Sequence, residues 1–429
     1  MGHLVSRIAN KGVTHSEYYA RHFPIEAIVH LCSGRGDALY RREFATEGKF
    51  YRRYIEAVDA KALHKVMVTM PGLTSLHIGP ACNGAVSLLR KGLTSPDRRE
   101  LIFDIDLTDY EFLDLHTRDQ AGNEVISVEA CDAAWGFAAV GVFFLRYLLR
   151  EHFGFEKFLI VYSGRRGVHL WVLDGKAMVA SDEVRAAIAT ALNLELTKDK
   201  KRATTRMLRM IDVYELWESV ENAFLDLIVN SSHLDSFANV QDLVDRLDLK
   251  HDGTKNLADD AFGQDSTHDR WKFIEERVAY MATQHSWMQS RLRETMLVYV
   301  WPRLDFAVTK AKNHLIKSPY VAHPKTGRIA VPIDPDNYYQ FDPSTAPTLA
   351  NLGTEDSWRA VTNIRQYITR DRPLLPMVTS HRKRERQART GGDIEDLVSS
   401  PDATPRSQQR KPKHKNFVRT RSPLIPEGF

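Results

Sequence analysis

Cysteine and long apolar runs are both scarce in this chain of 429 residues. Its three cysteines are widely scattered and cannot form a disulfide framework, which indicates a reducing compartment. The longest uncharged apolar run, Ala133–Leu145, is far shorter than the ~20 residues that a membrane span needs. The N-terminus lacks the apolar core of a signal peptide, and no internal repeat is visible. We therefore exclude a secreted disulfide scaffold and a repeat protein, and expect no membrane association.

Positive charge is concentrated at the C-terminal end. The net charge is +4, but residues 381–429 hold 12 Lys and Arg against 6 Asp and Glu, and include the basic clusters His381–Arg386 and Arg410–Lys415. This segment is rich in proline and nearly free of aromatic residues, so it cannot bury enough apolar surface to offset its chain entropy. We expect a disordered tail that acts as a nuclear-import signal, a nucleic-acid tether or a solubilising segment.

The rest of the sequence alternates between helix and strand patterns. Residues 17–31 and 40–60 have the apolar spacing of amphipathic helices, and residues 133–152 that of a long buried helix. Leu101–Asp106 alternates as a strand does, and two apolar runs at 158–162 and 168–173 predict a hairpin.

Helical spacing dominates the middle of the chain, and strand patterns return after it. We therefore expect a catalytic body in two parts, separated by a helical insertion, with the sheet formed from both sides of that insertion. The predicted boundaries are 1–178 for the first catalytic part, 179–298 for the helical subdomain, 299–378 for the second catalytic part and 379–429 for the tail.

Three aspartates are candidate metal ligands. Asp104 and Asp106 lie at i and i+2 of a predicted strand, so they share a face with Cα atoms roughly 6.5–7 Å apart. Two such carboxylates can bind one hard cation or a pair. Asp305, on a strand predicted at 303–309, adds a third carboxylate. The alternative is that these are solvent-facing residues of an edge strand. Asp109 fits an N-cap equally well.

Basic residues cluster at two turns. The glycine-rich turn Ser163–Gly167 carries Arg165 and Arg166, whose guanidinium groups match phosphate oxygens two at a time, and His169 follows on the next strand. A second turn, at 324–327, is flanked by further basic residues: Lys317, His323, Lys325 and Arg328. The alternative is a plain surface hairpin with charged tips. No GxxxxGK[ST], HExxH, GxSxG or CxxC motif is present. Carboxylates with arginine-rich turns favour phosphoryl or nucleotidyl transfer.

Five segments in order resemble the small catalytic subunit of eukaryotic-type DNA primase, a member of the archaeo-eukaryotic primase superfamily. They are REF at 42–44, FDIDLTDY at 103–110, YSGRRGVHLWV at 162–172, PRLD at 302–305, and NHLIKSPYVAHPKTGRIAVPID at 313–334. The resemblance implies a primase-polymerase fold of the α/β (α+β) class, in which helices flank a mixed β-sheet. It also implies template-directed synthesis of short RNA primers from NTPs on single-stranded DNA, by two-metal nucleotidyl transfer.

The resemblance assigns roles to individual residues. It implies that Asp104, Asp106 and Asp305 hold two Mg²⁺ or Mn²⁺ ions, and that Glu43 is a further catalytic acid. The residues that it implies for nucleotide binding are Arg53, Ser163, Arg165, Arg166, His169, Asn313, His314, Lys317 and His323. The implied partners are a primase large subunit with an iron–sulfur cluster and the DNA polymerase α complex, in the nucleus.

One motif of the family is missing. The family carries a four-cysteine zinc site after the DIDLTDY motif, whereas residues 111–135 of this chain contain only Cys131. We expect no structural zinc and a loop held by packing, with a substitute site formed by His116, Asp119 and Cys131 as the weaker alternative. Two other functions stay open: a repair or translesion primase-polymerase that uses dNTPs, and a non-catalytic replication scaffold.

Overall fold

Strands and helices occupy most of the residues that the computed structural model describes, which are 12–33, 39, 41–197, 202–249 and 254–352. These residues all belong to one unit, Met1–Leu374. The predicted basic tail lies outside the described residues.

The described strands are, in chain order, β1 (Arg42–Glu47), β2 (Tyr51–Glu56), β3 (Ser75–Cys82), β4 (Pro96–Arg98), β5 (Leu101–Asp106), β6 (His116–Arg118), β7 (Glu124–Ile126), β8 (Phe158–Tyr162), β9 (Gly167–Val172), β10 (Ile316–Lys317) and β11 (Pro332–Ile333). The described helices are α1 (His15–Glu17), α2 (Ile25–Ser33), α3 (Ala60–Thr69), α4 (Val128–Ala133), α5 (Trp135–Glu151), α6 (Gly175–Val179), α7 (Asp182–Leu192), α8 (Thr205–Val213), α9 (Trp217–Phe224), α10 (Phe237–Leu247), α11 (Leu257–Phe262), α12 (Thr267–Ala282), α13 (Met288–Val300) and α14 (Phe306–Lys310).

The main strands form two antiparallel sheets. The first has the order β10-β3-β1-β2, with β4 paired to β3, and the second has the order β11-β8-β9-β5. Strands β6 and β7 form a separate hairpin. The predicted α+β class is confirmed, and the strands of the described residues pair in antiparallel fashion.

The helical stretch lies between the two chain segments that contribute strands to each sheet, as the sequence predicts. From Asp182 to Val300 the described elements are the helices α7–α13, a π-helical turn at Leu225–Val229 and a 3₁₀ turn at His233–Asp235. After them, β10 pairs with β3 and β11 pairs with β8. Chain segments from both sides of the helices therefore meet in both sheets.

Helix α5 supports the strand that carries two of the aspartates. It is buried along almost its whole length. A Cβ on its Gly141 would lie 2.8 Å from Cδ1 of Ile105 on β5 and 3.0 Å from Cβ of Pro302. Because only a glycine leaves room for so close an approach, α5 packs directly behind the strand. Within the described residues, no helix has the length and apolarity to cross a membrane.

Two segments differ from the sequence prediction. Residues 40–60, predicted as an amphipathic helix, contain the β1–β2 hairpin. Residues 303–309, predicted as a strand, contain instead the short helix α14, whose N-cap is Asp305. In β1 five consecutive residues are buried, so the alternation that marks a half-exposed strand is missing.

Candidate active site

Asp104, Asp106 and Asp305 come together at the end of β5. On that strand Asp104 pairs with His169 of β9, and Asp106 pairs with Gly167. The backbone N–H of Asp305 donates to the carbonyl of Asp104 at 3.1 Å. Its carboxylate accepts from the N–H of Ala307 at 2.9 Å, which caps α14. The prediction that Asp305 lies on a strand is thus wrong, although the residue does lie beside Asp104.

Asp104 shows the electrostatic consequence of this arrangement. Burial raises the pKa of Asp104 to about 7, with the charges of Asp106 and Asp305 as the next causes. Burial, followed by these three carboxylates, also raises the pKa of Asp109, which joins the acidic group. Oxygen-only ligands of this kind suit hard divalent cations, whose charge would offset the repulsion.

The side chains as they stand do not enclose a metal ion. Among the described residues, no three His, Cys, Asp or Glu side chains are grouped closely enough to hold one. Asp106 instead accepts from Nε of Arg166 at 2.8 Å and from the hydroxyl of Thr108 at 2.7 Å. Arg166 therefore occupies part of the coordination space of Asp106.

His169 lies next to Asp104 in the interior. Its Nε2 is 3.6 Å from Oδ1 of Asp104, and the histidine is buried. Burial lowers the pKa of His169 to about 4, with the charge of Lys317 as the second cause. The imidazole is consequently neutral at physiological pH.

The two predicted basic turns pack against each other. The hydroxyl of Thr326 donates to the carbonyl of Gly164 at 2.8 Å. Gly164 has a φ of 89°, and a Cβ there would lie 3.0 Å from Cβ of His323. Glycine is required at this position for both its backbone conformation and its close approach. Residues 163–167 and 323–328 therefore form one surface.

This surface has a high density of positive charge. Burial lowers the pKa of His323 to about 4, followed by the charges of Lys317, Arg165, Arg166 and Lys325. Nδ1 of His323 accepts from the N–H of Lys325 at 3.3 Å, which assigns the ring proton to Nε2. An anion is the ligand that such a surface favours.

Ser163 and Arg165, both assigned to nucleotide binding, lie in the first turn, and each also makes a contact that stabilises the local structure. The N–H of Ser163 donates to the carbonyl of Gly167 at 2.9 Å, closing the turn. Arg165 donates from Nη2 to the carbonyl of Ile126 at 3.2 Å, at the end of β7. Of the two arginines, Arg166 is the one that contacts one of the three aspartates, Asp106.

Glu43 belongs to a different group of residues, in the first sheet. Its buried carboxylate accepts from Nε of Arg53 at 3.1 Å and from the N–H of Tyr54 at 3.3 Å. Tyr54 has a φ of 62°, within an irregular stretch of the β1–β2 pairing. Such a bulge redirects neighbouring side chains. Arg53 also donates from Nη2 to the carbonyl of Asn313 at 3.3 Å. The hydrogen bonds of Glu43 thus join it to Arg53 rather than to the three aspartates.

A pocket of about 570 Å³ opens beside this group. Its lining residues are Glu47, Tyr51, Arg53, His77, Asn313, His314 and Leu315. Lys317 connects the pocket with the aspartates: it pairs with His77 across β10 and β3, and its charge affects the pKa values of His77 and Asp104.

Several residues of the site were missed by the sequence analysis. Tyr51 was missed because it lies in the segment predicted as a helix. His77 was missed because it belongs to none of the motifs that the sequence shows. Asp132 was also missed: it accepts two hydrogen bonds from Arg328, at 2.6 and 2.8 Å, and Arg328 donates a third to the hydroxyl of Tyr162. Asp132 is 196 positions away from Arg328 along the chain, and no local pattern links the two.

The segment in the position of the family's zinc site forms the β6–β7 hairpin. Its turn is fixed by the carboxylate of Asp119, which accepts from the N–H groups of Ala121 and Asn123 at 2.9 Å. His116 is exposed on β6, whereas Cys131 is buried in α4. The strands of the hairpin are mostly exposed, so hydrogen bonds hold it where packing was expected.

Comparison with known proteins connects this geometry to a family. The family model described as DNA primase small subunit matches residues 103–335, which include the three aspartates and both basic turns. A DNA primase small subunit of Drosophila melanogaster is 30% identical over 359 residues, covering 78% of this chain and 79% of the relative. One from Caenorhabditis elegans is 29% identical, covering 79% and 86%. One from Schizosaccharomyces pombe is 29% identical, covering 72% and 70%.

Proposed function

The chain belongs to the DNA primase small subunit family, and on that premise we propose that it synthesises short RNA primers from ribonucleoside triphosphates on a single-stranded DNA template. The observation that carries the proposal is the juxtaposition of three carboxylates with a cationic surface. Burial and the charges of Asp106 and Asp305 raise the pKa of Asp104, whereas the charges of Arg166 and Lys317 lower it. A nucleoside triphosphate bound with divalent cations has the complementary charges.

The aspartates are suited to Mg²⁺ or Mn²⁺. The donor set is carboxylate oxygen, which hard cations prefer. Burial is the main cause of the raised pKa of Asp104, and the charges of Asp106 and Asp305, which a cation would neutralise, raise it further. Asp104, Asp106 and Asp305 would hold the ions. Bound there, two divalent cations supply electrostatic stabilisation of the attacking and leaving oxygens.

The basic turns hold the triphosphate in this proposal. The guanidinium of Arg166 is kept in place by Asp106, so it is oriented before a nucleotide arrives. His323 carries its proton on Nε2 and can donate it in a hydrogen bond to a phosphate oxygen. Lys317 adds a third positively charged or donor group. His169, neutral and buried, lies beside Asp104, with its Nε2 3.6 Å from Oδ1 of the carboxylate.

The pocket beside Arg53 receives the nucleoside part. Its volume of about 570 Å³ lies within the ~300–1,000 Å³ of small-molecule sites. Arg53, Asn313 and His314, three of the residues assigned to nucleotide binding, line it. Glu43 orients Arg53 through two hydrogen bonds, so we assign it a positioning role in the active site.

The wider setting follows from the family. We propose that the chain acts with a primase large subunit, which carries an iron–sulfur cluster, and with the DNA polymerase α complex. The large subunit would supply part of the second nucleotide site that de novo initiation requires. The basic clusters at 381–386 and 410–415 would direct the protein to the nucleus.

Dinucleotide synthesis on an unprimed single strand tests the proposal. The full chain, together with a primase large subunit, is assayed with Mn²⁺ and either NTPs or dNTPs, beside a double variant, Asp104→Ala with Asp106→Ala. A matched control, Asp114→Asn, changes an exposed carboxylate outside the site. We expect NTP-dependent synthesis in the wild type and the control, and none in the double variant. A strong preference for dNTPs would instead identify a repair primase-polymerase. Synthesis that persists in the double variant would refute the metal assignment, and an inactive wild type that still binds replication proteins would indicate a scaffold.

A further inference from the structure

The tip of the β1–β2 hairpin presents aromatic rings and cations to solvent. Phe50 and Tyr51 are 55% and 52% exposed, and Lys49 and Arg52 beside them are exposed as well. Residues 48–53 contain three cations and no carboxylate. Solvent-exposed aromatic rings among cations are typical of surfaces that bind single-stranded nucleic acid.

The tip is held firmly in place by the turn that precedes β3. The N–H of Lys49 donates to the carbonyl of Pro71 at 3.1 Å. A Cβ on Gly48 would lie 2.7 Å from that carbonyl oxygen and 2.8 Å from that of Gly72. Because the two turns interlock so closely, the ring of Phe50 is presented from a fixed backbone.

The hairpin leads directly to the nucleotide pocket. Tyr51 lines the pocket, and its ring packs edge-on against His77 with ring centres 5.6 Å apart. Arg53, two residues further along β2, lines the pocket too. Strand β2 is at the end of the strand order of its sheet, so the surface continues along a sheet edge.

We propose that residues 49–52 form the surface on which the single-stranded DNA template lies as it reaches the nucleotide pocket. This inference rests on the proposed function, because a template base must meet the incoming nucleotide at that pocket. Bases stack on the exposed rings, and the cations neutralise backbone phosphates. The run of cations without a carboxylate favours a polyanion over a protein partner. The carboxylate that precedes it, on Glu47, is bound to His77 at 3.2 Å.

Stacking is tested at Phe50 by fluorescence anisotropy with the full chain and a labelled oligodeoxythymidine of about 20 nucleotides. We expect Phe50→Ala to weaken binding about fivefold or more, since one stacked base contributes on the order of 1–3 kcal/mol. Phe50→Trp keeps a stacking ring and should retain the affinity. The matched control is Tyr280→Ala, which removes a 62% exposed ring on α12.

The cations are tested through salt dependence. The double variant Lys49→Gln with Arg52→Gln should lower the slope of log affinity against log salt by about 1.4, because a single strand releases about 0.7 counterion per neutralised phosphate. The control variant, Lys272→Gln with Arg277→Gln, removes two exposed cations from α12 and should leave the slope unchanged.

Primer synthesis separates this inference from the proposed function. We expect Phe50→Ala to raise the KM for template about fivefold or more, with the KM for NTP unchanged. If the wild type makes primers and Phe50→Ala binds and uses template equally well, the template surface is refuted while the proposed function stands. Loss of binding to the large subunit with normal DNA binding would also overturn the inference. A wild type that binds DNA at Phe50 but makes no primers would refute the proposed function alone.

Discussion

Replacing Asp104 by Asn should stabilise the metal-free protein while abolishing its activity. The carboxylate is repelled by Asp106 and Asp305 and is largely removed from water, and its pKa is raised from 3.8 to about 7. Each pKa unit corresponds to about 1.4 kcal/mol, so the ionised form costs at most about 4 kcal/mol. A quarter of the side chain is exposed, and water screens part of that cost. We expect a gain of about 2 kcal/mol at pH 8.

The sign of the pH dependence follows from the direction of the pKa shift. A carboxyl whose pKa is higher in the folded state than in the unfolded state lowers the free energy of unfolding as the pH rises from about 4 to about 7. Above that range its destabilising contribution is constant. The asparagine side chain does not ionise. The difference in free energy of unfolding between variant and wild type should therefore be small near pH 4 and reach its maximum above pH 7.

Urea unfolding at pH 5 and pH 8 in EDTA, repeated at pH 8 with Mn²⁺, measures these effects. We expect Mn²⁺ to stabilise the wild type more than Asp104→Asn, because a cation relieves the repulsion that the substitution has already removed. The control Asp114→Asn, at an exposed carboxylate, should change neither quantity by more than about 0.5 kcal/mol. If Asp104→Asn is less stable than the wild type at pH 8 in EDTA, or responds equally to Mn²⁺, the reasoning is wrong.

Three further substitutions test the cationic surface. Asp132→Asn removes one charge-assisted hydrogen bond from the ion pair with Arg328, in which the two side chains are only 14% and 12% exposed. It should lower the free energy of unfolding in urea by about 1.5–3 kcal/mol. An unchanged value would mean that the pair does not hold the second turn. Gly164→Ala places a Cβ 3.0 Å from Cβ of His323 at a φ of 89° and should raise the KM for NTP, whereas Gly175→Ala, with nothing within 4 Å of its Cβ, should not. Lys317→Met should raise the KM for NTP about tenfold or more, since a charged hydrogen bond contributes about 1.5–3 kcal/mol, and a normal KM would remove Lys317 from the triphosphate site.

Local patterns predicted the elements that lie on the second sheet. The strands predicted at 101–106 and 158–162 are confirmed, and the helix predicted at 133–152 is observed at Trp135–Glu151. Each of these elements has a regular apolar period and a clear end. The turn at Ser163–Gly167 was predictable because its glycines lie between two apolar runs. The antiparallel pairing of β8 with β9 confirms it.

The first sheet was harder to predict because its signals are not local. Strand β1 is buried on both faces, so its apolar residues do not alternate. It also contains Arg42, whose guanidinium forms a buried ion pair with Glu100 at 2.5 Å. The two residues are 58 positions apart in sequence. A buried arginine looks like a surface residue until its partner is known.

The predicted strand at 303–309 failed for a different reason. Asp305 is followed by a short apolar run that suits a strand, yet its carboxylate caps a helix instead. The hydroxyl of Thr309, in that helix, donates to the carbonyl of Ile102 at 2.8 Å, which ties the helix to β5. The cap and this contact both stabilise the helical conformation, and Asp305 still lies beside Asp104.

The site contains a region of carboxylates and a neighbouring region of cations, and the two regions favour ligands of opposite charge. The pKa of Asp104 is raised by burial and by neighbouring carboxylates, whereas that of His323 is lowered by burial and by neighbouring cations. The charge of Lys317 lowers the pKa of His323 and opposes the rise in the pKa of Asp104, so the two regions lie within reach of one charge. A free triphosphate would be repelled by the carboxylates, and a free cation by the arginines and lysines. A ligand that brings both charges satisfies both regions at once, which is the electrostatic reason for expecting a metal-bound nucleotide at this position.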